Sequence, residues 1–188
     1  MIQSNTNYGV FLGDGATIEN FTNKGTIKTN GTTDPKENTA GLYASSGINL
    51  NGSTIEKFTN ENNALISGKI GINLSASLIK TLTNKGTIES TSANELAGAI
   101  SITSLYTTSS TIENLTNEGV IKSKNAHGIF IGDSNTIKTL ENKGNIEAGL
   151  NGITFYGFHT NKKPVDIGKI ILNSGSVIKA GNNGINII

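Results

Sequence analysis

The chain has 188 residues, a formal net charge of +1, 23 glycines and no cysteine. A hydrophobic share of 35%, with glycine added, reaches the ordinary globular range and excludes disorder by composition. Fifteen lysines oppose 14 acidic residues and arginine is absent, so no long-range field favours nucleic acid or an anionic membrane.

The first element is Gly9-Val10-Phe11-Leu12, a short strand of Gly-apolar-x-apolar type. Thr17-Ile18-Glu19-Asn20-Phe21-Thr22-Asn23-Lys24-Gly25-Thr26-Ile27 follows. Within it Phe21, Asn23, Gly25 and Ile27 fall at every second position, the period of a strand. Ile18 and Phe21 lie three apart, so the chain must turn a corner between two inward residues. The stretch from Thr29 to Ser46, with Asp34-Pro35, reads as a flexible surface loop. The pair then returns as Gly47-Ile48-Asn49-Leu50 and Thr54-Ile55-Glu56-Lys57-Phe58-Thr59-Asn60. Gly71-Ile72-Asn73-Leu74 precedes Leu78-Ile79-Lys80-Thr81-Leu82-Thr83-Asn84-Lys85-Gly86-Thr87-Ile88. Gly98-Ala99-Ile100-Ser101-Ile102, one residue longer, precedes Thr111-Ile112-Glu113-Asn114-Leu115-Thr116-Asn117-Glu118-Gly119-Val120-Ile121. Gly128-Ile129-Phe130-Ile131 precedes Thr136-Ile137-Lys138-Thr139-Leu140-Glu141-Asn142-Lys143-Gly144-Asn145-Ile146. Gly152-Ile153-Thr154-Phe155, a degenerate copy at Ile171–Ile178 and Gly184-Ile185-Asn186-Ile187 close the series.

Asn60 and Asn84 are 24 residues apart and Asn117 and Asn142 are 25 apart, while other intervals are longer. A unit of about 24 residues with variable insertions fits a solenoid whose loops absorb the excess. Leucine-rich repeats share that length, but no part of the unit has an apolar 3.6 period. Thr, Ile, Val and Asn favour strands and turns over helix. The reading is all-β: a right-handed parallel β-helix, three short strands per coil, about six to seven coils, over residues 1–188 as a single segment.

Coils stacked about 4.8 Å apart would set equivalent side chains in ladders. The inward ladders predicted are Ile18/Ile55/Ile79/Ile112/Ile137, Phe21/Phe58/Leu82/Leu115/Leu140 and Ile27/Ile66/Ile88/Ile121/Ile146, beside an amide ladder of Asn23/Asn60/Asn84/Asn117/Asn142. Outside, Lys24, Glu61, Lys85, Glu118 and Lys143 alternate in sign, and Glu19, Glu56, Lys80, Glu113 and Lys138 do so less regularly. Opposite charges facing each other across strands stabilise a sheet, so both columns support in-register stacking.

The unit Ile-x-x-(Phe/Leu)-x-Asn-x-Gly-x-Ile, with its preceding Gly-Ile-x-Leu, resembles the passenger repeats of bacterial autotransporters. It is most similar to large vacuolating-type β-helical passengers, and the resemblance runs from Tyr8 to Ile187. It implies export through an outer-membrane β-barrel belonging to the same longer chain, then display at the cell surface or release. It also implies a role as adhesin, colonisation factor or toxin, with a host surface protein or glycan as partner. The lack of cysteine suits a passenger that crosses the barrel unfolded. Met1-Ile2-Gln3-Ser4-Asn5 lacks the basic-then-apolar pattern of a leader, and Gly184-Ile185-Asn186-Ile187-Ile188 reads as the first strand of a further coil. Residues 1–188 are therefore expected to be part of a longer polypeptide.

Chemistry is sparse. Without cysteine there is no disulfide scaffold, thiolate zinc site or thiol nucleophile, and no run approaches the ~20 apolar residues of a membrane span. His127 and His159 lie on different coils without a fixed partner in sequence. Gly13-Asp14-Gly15 and Gly132-Asp133-Ser134 offer one carboxylate each, too few for calcium, and read as turns. No catalytic residue, metal or cofactor is predicted. A polysaccharide-cleaving β-helix is the enzyme alternative, but it needs converging acids and a strong base, whereas Asp and Glu here are thinly spread. Two insertions leave one corner, at 103–110 and 156–165, and gather the scarce aromatics. Tyr106, Tyr156, Phe158, His159, Lys162 and Lys163 form the candidate interaction surface, against the alternative that these rings fold over the coil flank. A structural stalk is the third functional class.

Overall fold

The computed structural model describes residues 1–35, 44–103, 108–157 and 166–188. Twenty strands are found among them and no helix. In chain order these are β1 (Ile2–Ser4), β2 (Tyr8–Leu12), β3 (Thr17–Asn23), β4 (Thr26–Thr29), β5 (Ser46–Asn51), β6 (Thr54–Asn60) and β7 (Leu65–Gly68). The middle coils hold β8 (Ile70–Ser75), β9 (Leu78–Asn84), β10 (Thr87–Ser90), β11 (Gly98–Thr103), β12 (Thr111–Asn117) and β13 (Val120–Ser123). Then come β14 (His127–Ile131), β15 (Thr136–Asn142), β16 (Asn145–Ala148), β17 (Ile153–Phe155), β18 (Asp166–Leu172), β19 (Val177–Ala180) and β20 (Ile185–Ile187).

Every third strand joins the same sheet. A glycine sheet runs β2-β5-β8-β11-β14-β17-β20, an asparagine sheet β3-β6-β9-β12-β15-β18, and a short-strand sheet β1-β4-β7-β10-β13-β16-β19. All pairings are parallel. Three parallel sheets wound in sequence order make a parallel β-helix.

The core is the set of inward ladders. Ile18, Ile55, Ile79, Ile112 and Ile137 are in register, as are Phe21, Phe58, Leu82, Leu115 and Leu140. Ile27, Ile66, Ile88, Ile121 and Ile146 form the third ladder. Ile55, Phe58, Ile79, Leu82 and Ile88 are fully buried, each contributing about 1.5–3 kcal/mol that a lone coil could not gain. Phe21 and Phe58 meet edge-to-face, ring centres 4.9 Å apart.

The asparagine ladder closes the corner into the short-strand sheet. Asn23, Asn60, Asn84 and Asn117 each donate from Nδ2 to the Oδ1 of the next rung at 2.8–2.9 Å. The same Nδ2 atoms donate to the carbonyls of Leu65, Thr87, Val120 and Asn145. The ladder ends where Leu172 takes the sixth rung opposite Asn142. Beyond Asn84, Asn117 and Asn142 the backbones nearly touch. A Cβ on Gly119 would lie 2.2 Å from the Gly86 carbonyl, and one on Gly144 would lie 2.1 Å from that of Gly119.

The register corrects the fourth coil. Ala99, not Gly98, stands in the column of Gly71 and Gly128, because Gly98 pairs with His127 and Ile100 with Ile72 and Ile129. The extra residue is therefore absorbed at the strand's start. The Asp-containing corners are turns: Gly15 and Ser134 hold positive φ, as do Gly52 and Ala76 at the corresponding corners of the coils between, the left-handed geometry that reverses a chain in few residues.

The insertion between β4 and β5 differs from a flexible loop over its described residues. Asp34 pairs with Lys69 at 3.3 Å and accepts from Ser92 Oγ. Asn94 Nδ2 donates to the Pro35 carbonyl at 3.1 Å, and Ala44 is buried with Ile70, Ala97 and Ala126. Polar contacts to the next two corners, at Lys69 and at 92–94, hold it on the flank.

Candidate interaction surface

Sheet faces and corners supply the outward side chains. On the glycine sheet the residues between inward positions, Asn49, Asn73, Ser101, Phe130 and Thr154, share one register column. All five are buried, so over these coils the outer face is covered as well as the inner one, whereas Phe11 at the end of the same column is 51% exposed. Asn73 Nδ2 donates to Asn49 Oδ1 at 2.7 Å.

His127 begins β14 on this face and is 5% exposed. Its Nδ1 receives the backbone N–H of Asn151 at 3.3 Å and lies 3.0 Å from Thr154 Oγ1. A backbone N–H can only donate, so Nδ1 is the acceptor and the proton sits on Nε2, 2.8 Å from the Glu95 carbonyl. Burial pushes its pKa below the ordinary histidine value, against smaller opposing effects of the Glu95 and Asn151 backbone and the Glu95 charge. The imidazole fastens the 91–97 corner to the coil. No local pattern signals this, because two of its partners are backbone groups.

Of the six predicted surface residues, Tyr156 alone is among those described. It follows β17, donates its backbone N–H to the Ile131 carbonyl at 2.8 Å and is half-buried. Its ring centre lies 5.9 Å from that of Phe130, which lies 5.6 Å from the His127 ring. Tyr106, Phe158, His159, Lys162 and Lys163 lie outside the described residues. Tyr156 thus joins Phe130 and His127, two rings the sequence did not assign to it.

The exposed charge columns behave as ladders. On the asparagine sheet Lys80 meets Glu56 and Lys138 meets Glu113, both at 2.7 Å. These contacts, hydrogen bond first and charge second, raise the Lys80 pKa and lower that of Glu113. At the next corner Lys85 meets Glu61 at 3.5 Å and Lys143 meets Glu118 at 3.9 Å.

A third column was missed. Glu89, Lys122, Glu147 and Lys179 are successive rungs of the short-strand sheet. The signal was available as the residue after each third-ladder Ile. These four line one side of a groove of about 640 Å³. Its other lining includes the corner residues Thr91, Lys124, Asn125, Gly149 and Gly181. Among the described residues no group of three or more His, Asp or Glu side chains is placed to hold a metal ion.

Comparison with protein-family models, curated proteins and solved structures finds no match. The functional reading therefore rests on these residues and their geometry.

Proposed function

We propose that this chain is a non-enzymatic, surface-exposed or secreted β-helical passenger module of an autotransporter, acting in adhesion to a host protein or glycan or as a structural stalk. The observation that carries the reading is the unbroken stack of in-register ladders, together with the repeat's resemblance to passenger sequences. Each rung is templated by the one before it, so such a chain can fold progressively. It holds no cysteine that could cross-link before folding. A polymer threaded through a pore and folding on the far side has use for both properties.

The test is location. Antibody raised against the folded chain should label intact cells of the source organism, and external protease should remove that label. Signal seen only after lysis overturns the reading. Adhesion separates from a stalk by a triple variant, Tyr106→Ala, Tyr156→Ala and Phe158→Ala. It should fold normally and lose binding to host cells if the insertions make contact, and unchanged binding removes that arm.

One observation favours polysaccharide chemistry instead. Glu89 and Glu147 line a groove two rungs apart, a backbone spacing of roughly 10 Å, just above the carboxyl separations of about 6.5–9.5 Å that serve inverting hydrolysis. Glu89, however, is already held by Lys122 at 3.0 Å and by Ser67 Oγ at 2.8 Å. Incubation with a panel of acidic and neutral polysaccharides should release no reducing ends; release abolished by Glu147→Gln would install this reading.

A further inference from the structure

We infer that the outer face of the short-strand sheet is an interface on which a second copy of this chain docks antiparallel. Its basis is the order of charges along four consecutive rungs: Glu89, Lys122, Glu147, Lys179. Reversed, the order is Lys, Glu, Lys, Glu. A two-fold axis along the strand direction, midway between the Lys122 and Glu147 rungs, therefore sets Glu89 against Lys179 of the second copy and Lys122 against Glu147. All four contacts are attractive, and the same patch serves both copies, as an isologous interface requires. The same order occurs in Glu56, Lys80, Glu113, Lys138 on the asparagine sheet and in Glu61, Lys85, Glu118, Lys143 at its corner, so what selects the short-strand sheet is whether its charges are already closed.

A second observation separates this column from a purely internal ladder. On the asparagine sheet, Lys80 and Lys138 each close on the carboxylate one rung away. On the short-strand sheet only Glu89 and Lys122 close, at 3.0 Å. Glu147 is paired in register with Lys122 and with Lys179, yet among the described residues neither Glu147 nor Lys179 makes an ion pair. Both are exposed. Two neighbouring opposite charges are thus free for a partner.

The patch is small. Four rungs span about 14 Å, well short of the ~800 Å² per partner of a standard interface. Association is accordingly weak, fast and screened by salt.

Sedimentation equilibrium of the full chain, run up to about 1 mM protein in about 20 mM and about 500 mM salt, reads the outcome. Wild type should rise above its monomer mass of 19.6 kDa with concentration in low salt and return to it in high salt. Lys122→Glu alone should stay monomeric, because it faces Glu147 of the second copy, and Glu147→Lys alone should stay monomeric, because it faces Lys122. An equimolar mixture of the two variants restores all four attractions between unlike copies and should associate at least as strongly as wild type. Circular dichroism of each variant checks its fold. A monomeric wild type throughout overturns the inference, and so does a mixture that stays monomeric while wild type associates.

Discussion

Asn84 is wholly buried, accepts from Asn60 Nδ2 at 2.8 Å and donates to Asn117 Oδ1 at 2.8 Å and the Val120 carbonyl at 3.1 Å. Replacing it with Leu fills the space but strands Asn117 Oδ1 without its donor and takes one acceptor from Asn60. An orphaned buried polar group costs about 1–3 kcal/mol, so Asn84→Leu should lower the urea midpoint at unchanged slope. A neutral effect would show that the amide ladder contributes only shape. At His127 the relevant variable is pH. Its folded pKa is lowered, chiefly by burial, so the unfolded chain binds the proton more readily. Stability is then complete above the unfolded value of about 6.5 and declines as pH falls from there through the folded value. Glu113 and Glu141 are also lowered, and their contribution is lost only below the ordinary carboxylate range, in a separate window. Urea midpoints measured downward from neutral pH should fall for wild type and stay flatter for His127→Gln. Equal slopes in the two proteins would remove His127 as the source.

Strands and corners differ in how far the sequence reveals them. The three strands of a coil were legible because their inward positions recur with one residue type at one spacing, and burying Ile against Ile rung after rung leaves little choice of register. The short Gly-Asp corners were legible as turns, but the longer ones were not. Ala99 takes a glycine's column because the preceding corner is longer, which no local pattern encodes. The 30–35 segment is tied down by Lys69, Ser92 and Asn94, residues dozens of positions away and unlike one another. His127 was legible as a histidine but not as a clasp, since its acceptor is the Glu95 carbonyl. Of the surface residues expected on the insertions, Tyr156 was found against Phe130 because Phe130 breaks the polar pattern of its column. The corner ties also predict behaviour. Asp34 and Lys69 are partly solvated, and such pairs stabilise by at most about 1 kcal/mol. Asp34→Ala should leave the global unfolding midpoint nearly unchanged while speeding limited proteolysis between β4 and β5. A matching loss of global stability would mean that the segment belongs to the core.

Along the whole molecule, the strands of each coil pair only with those of its two neighbours, so stability is close to a sum of coil terms and interfaces between adjacent coils, with the 30–35 insertion as an added tie across the corners. The middle coils have both interfaces and bury Ile55, Phe58, Ile72, Leu74, Ile79 and Leu82 completely, whereas Ile2, Phe11, Val177 and Ile187 on the outer coils are 48%, 51%, 48% and 63% exposed. Outer coils should therefore open independently of the middle. Amide exchange should be fastest in β1–β3 and β18–β20, slowest in β8, β9 and β11, and graded between them in all three sheets alike. Leu82→Ala, at a fully buried central rung, removes contacts above and below and should cost about 2–5 kcal/mol. It should also raise exchange in the coils on both sides. Phe21→Ala, on a rung bounded on one side only, should change exchange in β2–β4 and leave β12 untouched. Uniform protection from one end to the other, or a Phe21 effect reaching β12, would mean that the coils unfold as one unit and that coupling along the axis exceeds what nearest-neighbour stacking provides.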